Sequence, residues 1–343
     1  MSKIKRTAIV LFNLGGPDKT ESIRPFLFNL FYDKHITRLP NPLRFIISQI
    51  ISYAREKTAH KIYNYIGGSS PILHQTKLQL KAISLELSKR LKEYKILIAM
   101  RYWHPLTNEA TQQIKEYQPN QIILLPLYPQ FSTSTTLSSI NEFKKLASIN
   151  YPNIPIKTIC CYPTNNGFIN SYSALIKNCI KDFKNTILLF SAHGLPEKFI
   201  MQGDPYQWQI EQSVYAIIRN LQIKNLNWKI CYQSRIGPIK WLKPDIEKEI
   251  TTASKNKKNI VVIPISFVSE HVETLVELDV KYARIANYYG VKYYRVPTTG
   301  VNSLFIKGLA KMIFKFVNKE GNVVSSGNGN RICPSSFIKC ICR

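Results

Sequence analysis

Acidic side chains are scarce in this chain: 21 Asp and Glu stand against 47 Lys and Arg over 343 residues, a formal charge of +26. Such an excess is compatible with nucleic acid, an anionic membrane surface or an anionic small ligand, and does not choose among them. The lysines are dispersed, often beside Ile and Asn, with Lys255, Lys257 and Lys258 the densest group. No basic stripe interleaved with aromatics is there to track a phosphate backbone. A bias toward Lys, Ile and Asn is the simpler reading, and nucleic acid is not an expected partner.

Long hydrophobic runs are missing too. No apolar stretch approaches the ~20 residues that cross a bilayer. The N-terminus passes from Lys3, Lys5 and Arg6 straight into the apolar run Ala8 to Phe12, too short a lead for a signal or transit peptide. The expectation is a cytoplasmic protein, at most peripheral on the inner face of the cytoplasmic membrane. The seven cysteines form no evenly spaced framework, which suits a reducing compartment better than a disulfide-stapled secreted fold. Gly-Gly-Pro at 15–17 and Gly-Gly-Ser-Ser-Pro at 67–71 are turn signals without the spacing of a dinucleotide or phosphate-loop fingerprint, which argues against a nucleotide cofactor.

What is present is a duplication. Short β-branched runs alternate with amphipathic helical stretches, as in parallel sheets covered by helices. TAIVLFNLGGP (Thr7 to Pro17) is echoed by TILLFSAHGLP (Thr186 to Pro196), and Lys95 to Pro105 by Lys229 to Pro238. Gln121 to Tyr128 likewise matches Asn259 to Phe267, and Ile156 to Pro163 matches Val291 to Pro297. The fold predicted is α/β: two similar Rossmann-like domains, each a four-stranded parallel sheet flanked by helices. The first spans 1–163 and is completed by a C-terminal helix over 300–320; the second spans 164–299; a cysteine-containing tail occupies 321–343. A shared fold fixes architecture and not chemistry.

The first half carries roughly forty additional residues between its first two strands, within an insertion over about 20–80. Leu43, Ile46, Ile47, Ile50, Ile51 and Ala54 recur there at spacings of three and four, and Phe26 to Tyr32 is rich in apolar side chains. The face is either packed on its own sheet or forms an apolar lip for a flat greasy ligand. In the second case Arg38, Arg44 and Arg55 would meet anionic headgroups.

In open parallel sheets ligands bind beyond the carboxyl ends of the strands, and the unusual residues collect there. After the strand ending at Phe190, Ser191-Ala192-His193-Gly194 puts an imidazole on the turn; histidine takes up protons near neutral pH, although a lone one is more often a structural hydrogen-bonder. After Phe267, Ser269 to Asp279 reads as a helix capped by Ser269. Glu270, Glu273 and Glu277, three and four apart, would then line one face. The helix dipole accounts for the first two acids but poorly for Glu277. A file of carboxylates beside a histidine in so basic a chain suits a borderline cation or protons. Arg101 offers a fork of donors for a carboxylate, and Tyr102 and Trp103 offer faces for a planar ring.

Six ordered motifs resemble the ferrochelatase family: LFNLGGP at 11–17, IGGSSPI at 66–72, MRYWHP at 100–105, LYPQFSTSTT at 127–136, SAHGLP at 191–196 and SEHVETLVELD at 269–279. The similarity runs to about residue 320. It implies a chelatase-like fold and a terminal step of haem synthesis, in which Fe(II) replaces two pyrrole protons of protoporphyrin IX. It implies that His193 accepts those protons, that Glu273 pairs with it, and that the two are the metal-facing residues. His271, also counted as catalytic, and Glu270 and Glu277 fall on the line of metal or proton traffic. The porphyrin site implied comprises Leu14, Tyr63, Ser70, Arg101, Tyr102 and Trp103. Iron and porphyrin are the substrates; the chain is expected to be a monomer or a homodimer and to need no resident cofactor.

Two departures stand out. Lys281 replaces the glutamate that animal relatives carry beyond the acidic file. Animal members also hold a [2Fe-2S] cluster on one mid-chain cysteine and a C-terminal C-x-x-C-x-x-x-x-C; here Ser171 takes the mid-chain place and Cys333, Cys340 and Cys342 are spaced differently. Cys160, Cys161 or Cys179 is the available substitute, and free thiols are the expectation. The rival readings are a coproporphyrin III ferrochelatase, a cobalt or nickel chelatase, a non-catalytic porphyrin carrier and a basic nucleic-acid binder. The second tends to place another histidine at the Glu273 position; the last would show steeply salt-dependent affinity.

Overall fold

A computed structural model describes residues 5–180, 184–234, 237 and 239–342. The chain divides into two compact units. Unit 1 takes the residues up to Tyr162, Leu309–Ile332 and the residues from Ile341; unit 2 takes Pro163–Gly308 and Cys333–Cys340.

Unit 1 holds a fully parallel sheet of β1 (Thr7–Asn13), β2 (Tyr94–Met100), β3 (Gln121–Pro126), β4 (Ile156–Ile159) and β9 (Val323–Ser325), in the order β2-β1-β3-β4-β9. Unit 2 holds β5 (Thr186–His193), β6 (Asn227–Gln233), β7 (Asn259–Pro264) and β8 (Tyr293–Arg295), in the order β6-β5-β7-β8. The first four strands of each half thus share one winding, as the duplicated sequence requires. Arg235, Ile236 and Pro238 of the second repeat lie outside the described residues.

The first sheet has five strands, not four. Val323, Val324 and Ser325 pair with Lys157, Thr158 and Ile159, so the stretch expected as a tail closes the sheet's edge. Residues 333–340 likewise belong to unit 2, and helix Ser303–Val317 contributes to both units, its residues through Gly308 to unit 2 and the rest to unit 1. The N-terminal turn of that helix meets helix Asn166–Cys179 so closely that a Cβ on Gly167 would lie 2.5 Å from the Leu304 carbonyl oxygen, and only glycine fits.

Both central strands are buried along nearly their whole length, which is why they read as continuous apolar runs. In unit 1, Val10, Phe12 and Leu124 pack with Ala110, Ile114 and Phe143 of the covering helices. In unit 2, Leu189 and Val262 pack with Ile246, Ile250, Leu278 and Tyr282. The inserted segment forms helices Ile23–Tyr32, Asn41–Asn64 and Ile72–Leu87. Helix Asn41–Asn64 turns Ser48 and Ser52 inward and leaves Leu43, Phe45, Ile46, Ile50 and Tyr53 exposed, so its apolar residues do not simply pack on a sheet.

Candidate active site

Strand β5 continues three residues past Phe190. Ser191, Ala192 and His193 pair in register with Cys231, Tyr232 and Gln233 of β6, so His193 is the last residue of a central strand and not part of a free turn. Its amide donates to Ser266 Oγ (3.1 Å) beyond β7, and its carbonyl accepts from the Tyr206 hydroxyl (3.1 Å). The backbone carrying the imidazole is fixed on both sides.

His193 Nδ1 lies 2.9 Å from Glu273 Oε2. A carboxylate can only accept, so Nδ1 carries the proton and Nε2 presents its lone pair. Nε2 bonds to nothing among the described residues, and the side chain keeps 41% of its surface exposed. Its setting among protein atoms pushes the imidazolium pKa down, but the charge and hydrogen bond of Glu273 and the charge of Glu277 outweigh that and raise it above the ordinary histidine value. Burial raises Glu273 in turn, and the charges and hydrogen bonds of His193 and His271 override it, holding the carboxyl well below the usual range.

The segment carrying Glu273 is a π-helix, Glu273–Tyr282, and Ser269 does not cap it. Thr274 Oγ1, from inside the segment, accepts from the His271 amide (3.1 Å), which removes the need for an outside cap. The change of helix type breaks the expected column of acids. Glu273 faces His193, with His271 Nε2 3.7 Å from its Oε2. Glu277 Oε2 accepts from Ser234 Oγ (2.5 Å) and Gln233 Nε2 (3.1 Å), and its Oε1 from the Tyr282 hydroxyl (3.0 Å). Glu270 precedes the helix and points elsewhere: its Oε1 accepts from Arg295 Nη1 (2.6 Å) and the Thr298 amide (2.9 Å). Burial would raise the Glu270 pKa, but the Arg295 charge prevails and lowers it. Arg295 also forks onto Asp279 (2.8 and 2.7 Å), so one guanidinium ties the residues flanking the π-helix start to its interior. Lys281 pairs with Glu247 (2.7 Å). His271 is buried, with Nδ1 donating to the Ser269 carbonyl (3.1 Å) and its ring 4.5 Å from that of Phe267.

Gln233, the last residue of β6, and Ser234, which follows β6 as Arg101 follows β2, are neighbours of Glu277 that the sequence reading missed. Gln233 is buried and accepts from Ser191 Oγ (2.5 Å) while donating to Glu277. Ser234 holds a left-handed backbone (φ 62°), a strained geometry for a residue with a side chain that aims its hydroxyl at Glu277.

Unit 1 gathers most of the residues expected to hold a porphyrin through its backbone. The Arg101 and Tyr102 amides donate to the Asn13 and Leu14 carbonyls (2.9 and 3.0 Å), and the Ser70 amide donates to the Pro17 carbonyl (2.7 Å). A Cβ on Gly16 would stand 2.6 Å from Ser70 Oγ, so the two glycine loops pack only as written. Tyr63 is buried and its carbonyl accepts from Gly68 (3.0 Å). Trp103 Nε1 donates to Asp18 (2.9 Å). Tyr102 departs from expectation: it is 1% exposed and its hydroxyl is spent on Asp33 (2.7 Å), so its ring offers no open face to a ligand. Cys333, Cys340 and Cys342, in the stretch expected as a tail, are buried. Ser171 is fully buried with its hydroxyl on the Phe168 carbonyl. Among the described residues no group of three or more His, Cys, Asp or Glu side chains is set to hold a metal ion.

The ferrochelatase family model matches residues 6–316. The chain belongs to the ferrochelatase family. A ferrochelatase from Rickettsia bellii is 55% identical over 98% of this chain and 95% of its own length. Those of Rickettsia conorii and Pelagibacter ubique are 54% and 49% identical, each over 98% or more of both chains. Ferrochelatase is a lyase that inserts metal into a porphyrin, and that is the activity of this chain. The fold is that of smaller chelatases: SirB from Bacillus subtilis with Fe3+ superposes with a TM-score of 0.56 at 12% identity, covering 91% of this chain and 96% of that one. The sirohydrochlorin chelatase SirB in complex with cobalt gives 0.53 at 11%, covering 91% and 93%.

Proposed function

We propose that this ferrochelatase inserts Fe(II) into protoporphyrin IX to give protohaem, with His193 as the base that removes the two pyrrole protons. One observation carries the assignment: the 2.9 Å bond from His193 Nδ1 to Glu273, which leaves Nε2 as an exposed base beside a fixed anion. Each turnover exchanges one Fe(II) for two N–H protons. Nε2 accepts a proton as an N–H bond breaks, Glu273 stabilises the imidazolium, and the proton leaves before the second is taken.

Glu273 and His271 form the inner part of the exit for charge. Glu277, held by three donors, acts as a fixed negative field. Glu270 is engaged by Arg295 and is a poor relay. His193 Nε2 and the free oxygen of Glu273 are transient ligands for incoming iron. A porphyrin bent out of plane exposes its nitrogen lone pairs, so a site fitted to the bent ring lowers the barrier. Within unit 1, Leu14, Ser70 and Trp103 are candidate contacts for an apolar ring, and Arg101 a candidate partner for a carboxylate. This chemistry needs no resident cofactor, and the buried cysteines take no part in it.

Anaerobic mixing of the protein with Fe(II) or Zn(II) and each porphyrin, followed by absorbance, tests the assignment. Protoporphyrin IX should be metallated at least ~10-fold more efficiently than coproporphyrin III. The reverse preference would make the latter the substrate, and binding without metallation would make the chain a carrier.

Among the described residues no helix is long and apolar enough to cross a membrane. The exposed Leu43, Ile46, Ile50 and Tyr53, with Arg24 stacked on Tyr53 and Arg44 on Tyr32, support a surface that rests on anionic lipid. Replacing Ile46 and Ile50 by Ser should weaken sedimentation with phosphatidylglycerol vesicles about tenfold without lowering the melting temperature. Equal binding by the variant would remove the lip from that role.

A further inference from the structure

In unit 1 a carboxylate that no sequence motif singled out joins three segments. Asp33 follows helix Ile23–Tyr32, and its side chain is 1% exposed. Its Oδ1 accepts from the His35 amide (2.8 Å), which fixes the carboxylate plane. Its Oδ2 accepts from the Tyr102 hydroxyl (2.7 Å), from the Ser138 hydroxyl on helix Thr136–Asn150, and from Arg101 Nη2 (3.1 Å). Ser138 Oγ also accepts from Arg101 Nε (2.7 Å), and the guanidinium lies over the Tyr102 ring at 5.2 Å. From the helix that Asp33 follows, Asn29 Nδ2 donates to the Tyr102 carbonyl (3.1 Å).

The consequence for Arg101 is specific. Nε and Nη2 are committed, and Nη1 bonds to nothing among the described residues. A lone arginine on a loop samples many rotamers and loses that freedom on binding; one held along one edge has already lost it. The Asp33 charge also offsets the guanidinium, so attraction to any passing anion is traded for one directed donor. Burial would raise the Asp33 pKa, and the Arg101 charge and its donors keep the carboxyl below the ordinary value.

We infer that Asp33 is the positioning residue for the carboxylate-binding arm of the porphyrin site: it orients Arg101 so that Nη1 meets a ring carboxylate. The inference rests on the reading of Arg101 as a carboxylate partner, and the experiment separates the two. KM and kcat for Zn(II) insertion are measured for the intact protein, Asp33→Asn, Arg101→Lys and the double variant. Each is assayed with a porphyrin dicarboxylate and with its dimethyl ester, and melting temperatures are recorded alongside. Asp33→Asn should raise the KM for the dicarboxylate about tenfold with kcat changed less than about twofold, and should leave the ester KM unchanged. In the Arg101→Lys background it should add less than about twofold. Loss on the dicarboxylate in Arg101→Lys but not in Asp33→Asn overturns the inference. An equal loss on both porphyrins in Arg101→Lys overturns the reading of Arg101 itself. Ser138→Ala removes a donor to Asp33 and the acceptor for Nε without touching the buried charge. Should Asp33→Asn fail to fold, Ser138→Ala must show the same selective rise in KM, and its absence would sink the idea.

Discussion

His193→Ala should lower metal insertion by roughly 100- to 10,000-fold while porphyrin affinity stays within about twofold. The split follows from geometry. The ring sits at the end of β5, bonds through Nδ1 to Glu273, meets the Phe267 ring edge-on at 6.4 Å, and offers Nε2 outward. Alanine leaves the backbone bonds to Ser266 and from Tyr206 intact, so the strand end should keep its place. What is lost is the proposed acceptor for the pyrrole protons. Fluorescence quenching of bound porphyrin reads affinity, and stopped-flow absorbance reads insertion. Unchanged turnover would remove the imidazole from the chemistry, and lost binding with normal turnover at saturation would make it a porphyrin contact.

Glu273→Gln should slow insertion by about 10- to 100-fold and move the pH profile. The side chain keeps its shape and an oxygen toward Nδ1 but loses its charge. Insertion needs the neutral imidazole, so activity rises with pH as His193 deprotonates. In the intact protein that rise should fall above 6.5, because Glu273 and Glu277 outweigh burial. With glutamine, burial pushes down against Glu277 alone, and the inflection should move to lower pH. The defect should therefore be smaller on the acid side than on the alkaline side. A pH-independent defect confined to KM would make Glu273 a binding group.

The duplication was legible because parallel strands buried on both faces write unbroken apolar runs. All eight repeated strands appear where those runs predict them, in one winding order. β9 escaped notice because three residues between glycines carry no periodicity. The pairing of His193 with Glu273 came from the family resemblance; one ends central strand β5 and the other follows β7, and their side chains lie 2.9 Å apart. The acid file could not be placed, since spacings of three and four look alike in α- and π-helices while their side chains diverge in space. Thr274 satisfies the amide that Ser269 was expected to serve, and one arginine distant in sequence, Arg295, captures Glu270. Asp33 was illegible for a related reason. Its meaning comes from partners 68 to 105 positions away, and no local pattern marks such a meeting.

The ladder between β5 and β6 aligns His193 with Gln233, and Ser266 begins just past β7. The proposed proton acceptor and the groups around it are therefore levelled by backbone pairing. Connections at that rim can lengthen, shorten or change composition without detuning the acceptor. Variation there should alter which tetrapyrrole enters and how fast it leaves, while the imidazole keeps its place at the strand end.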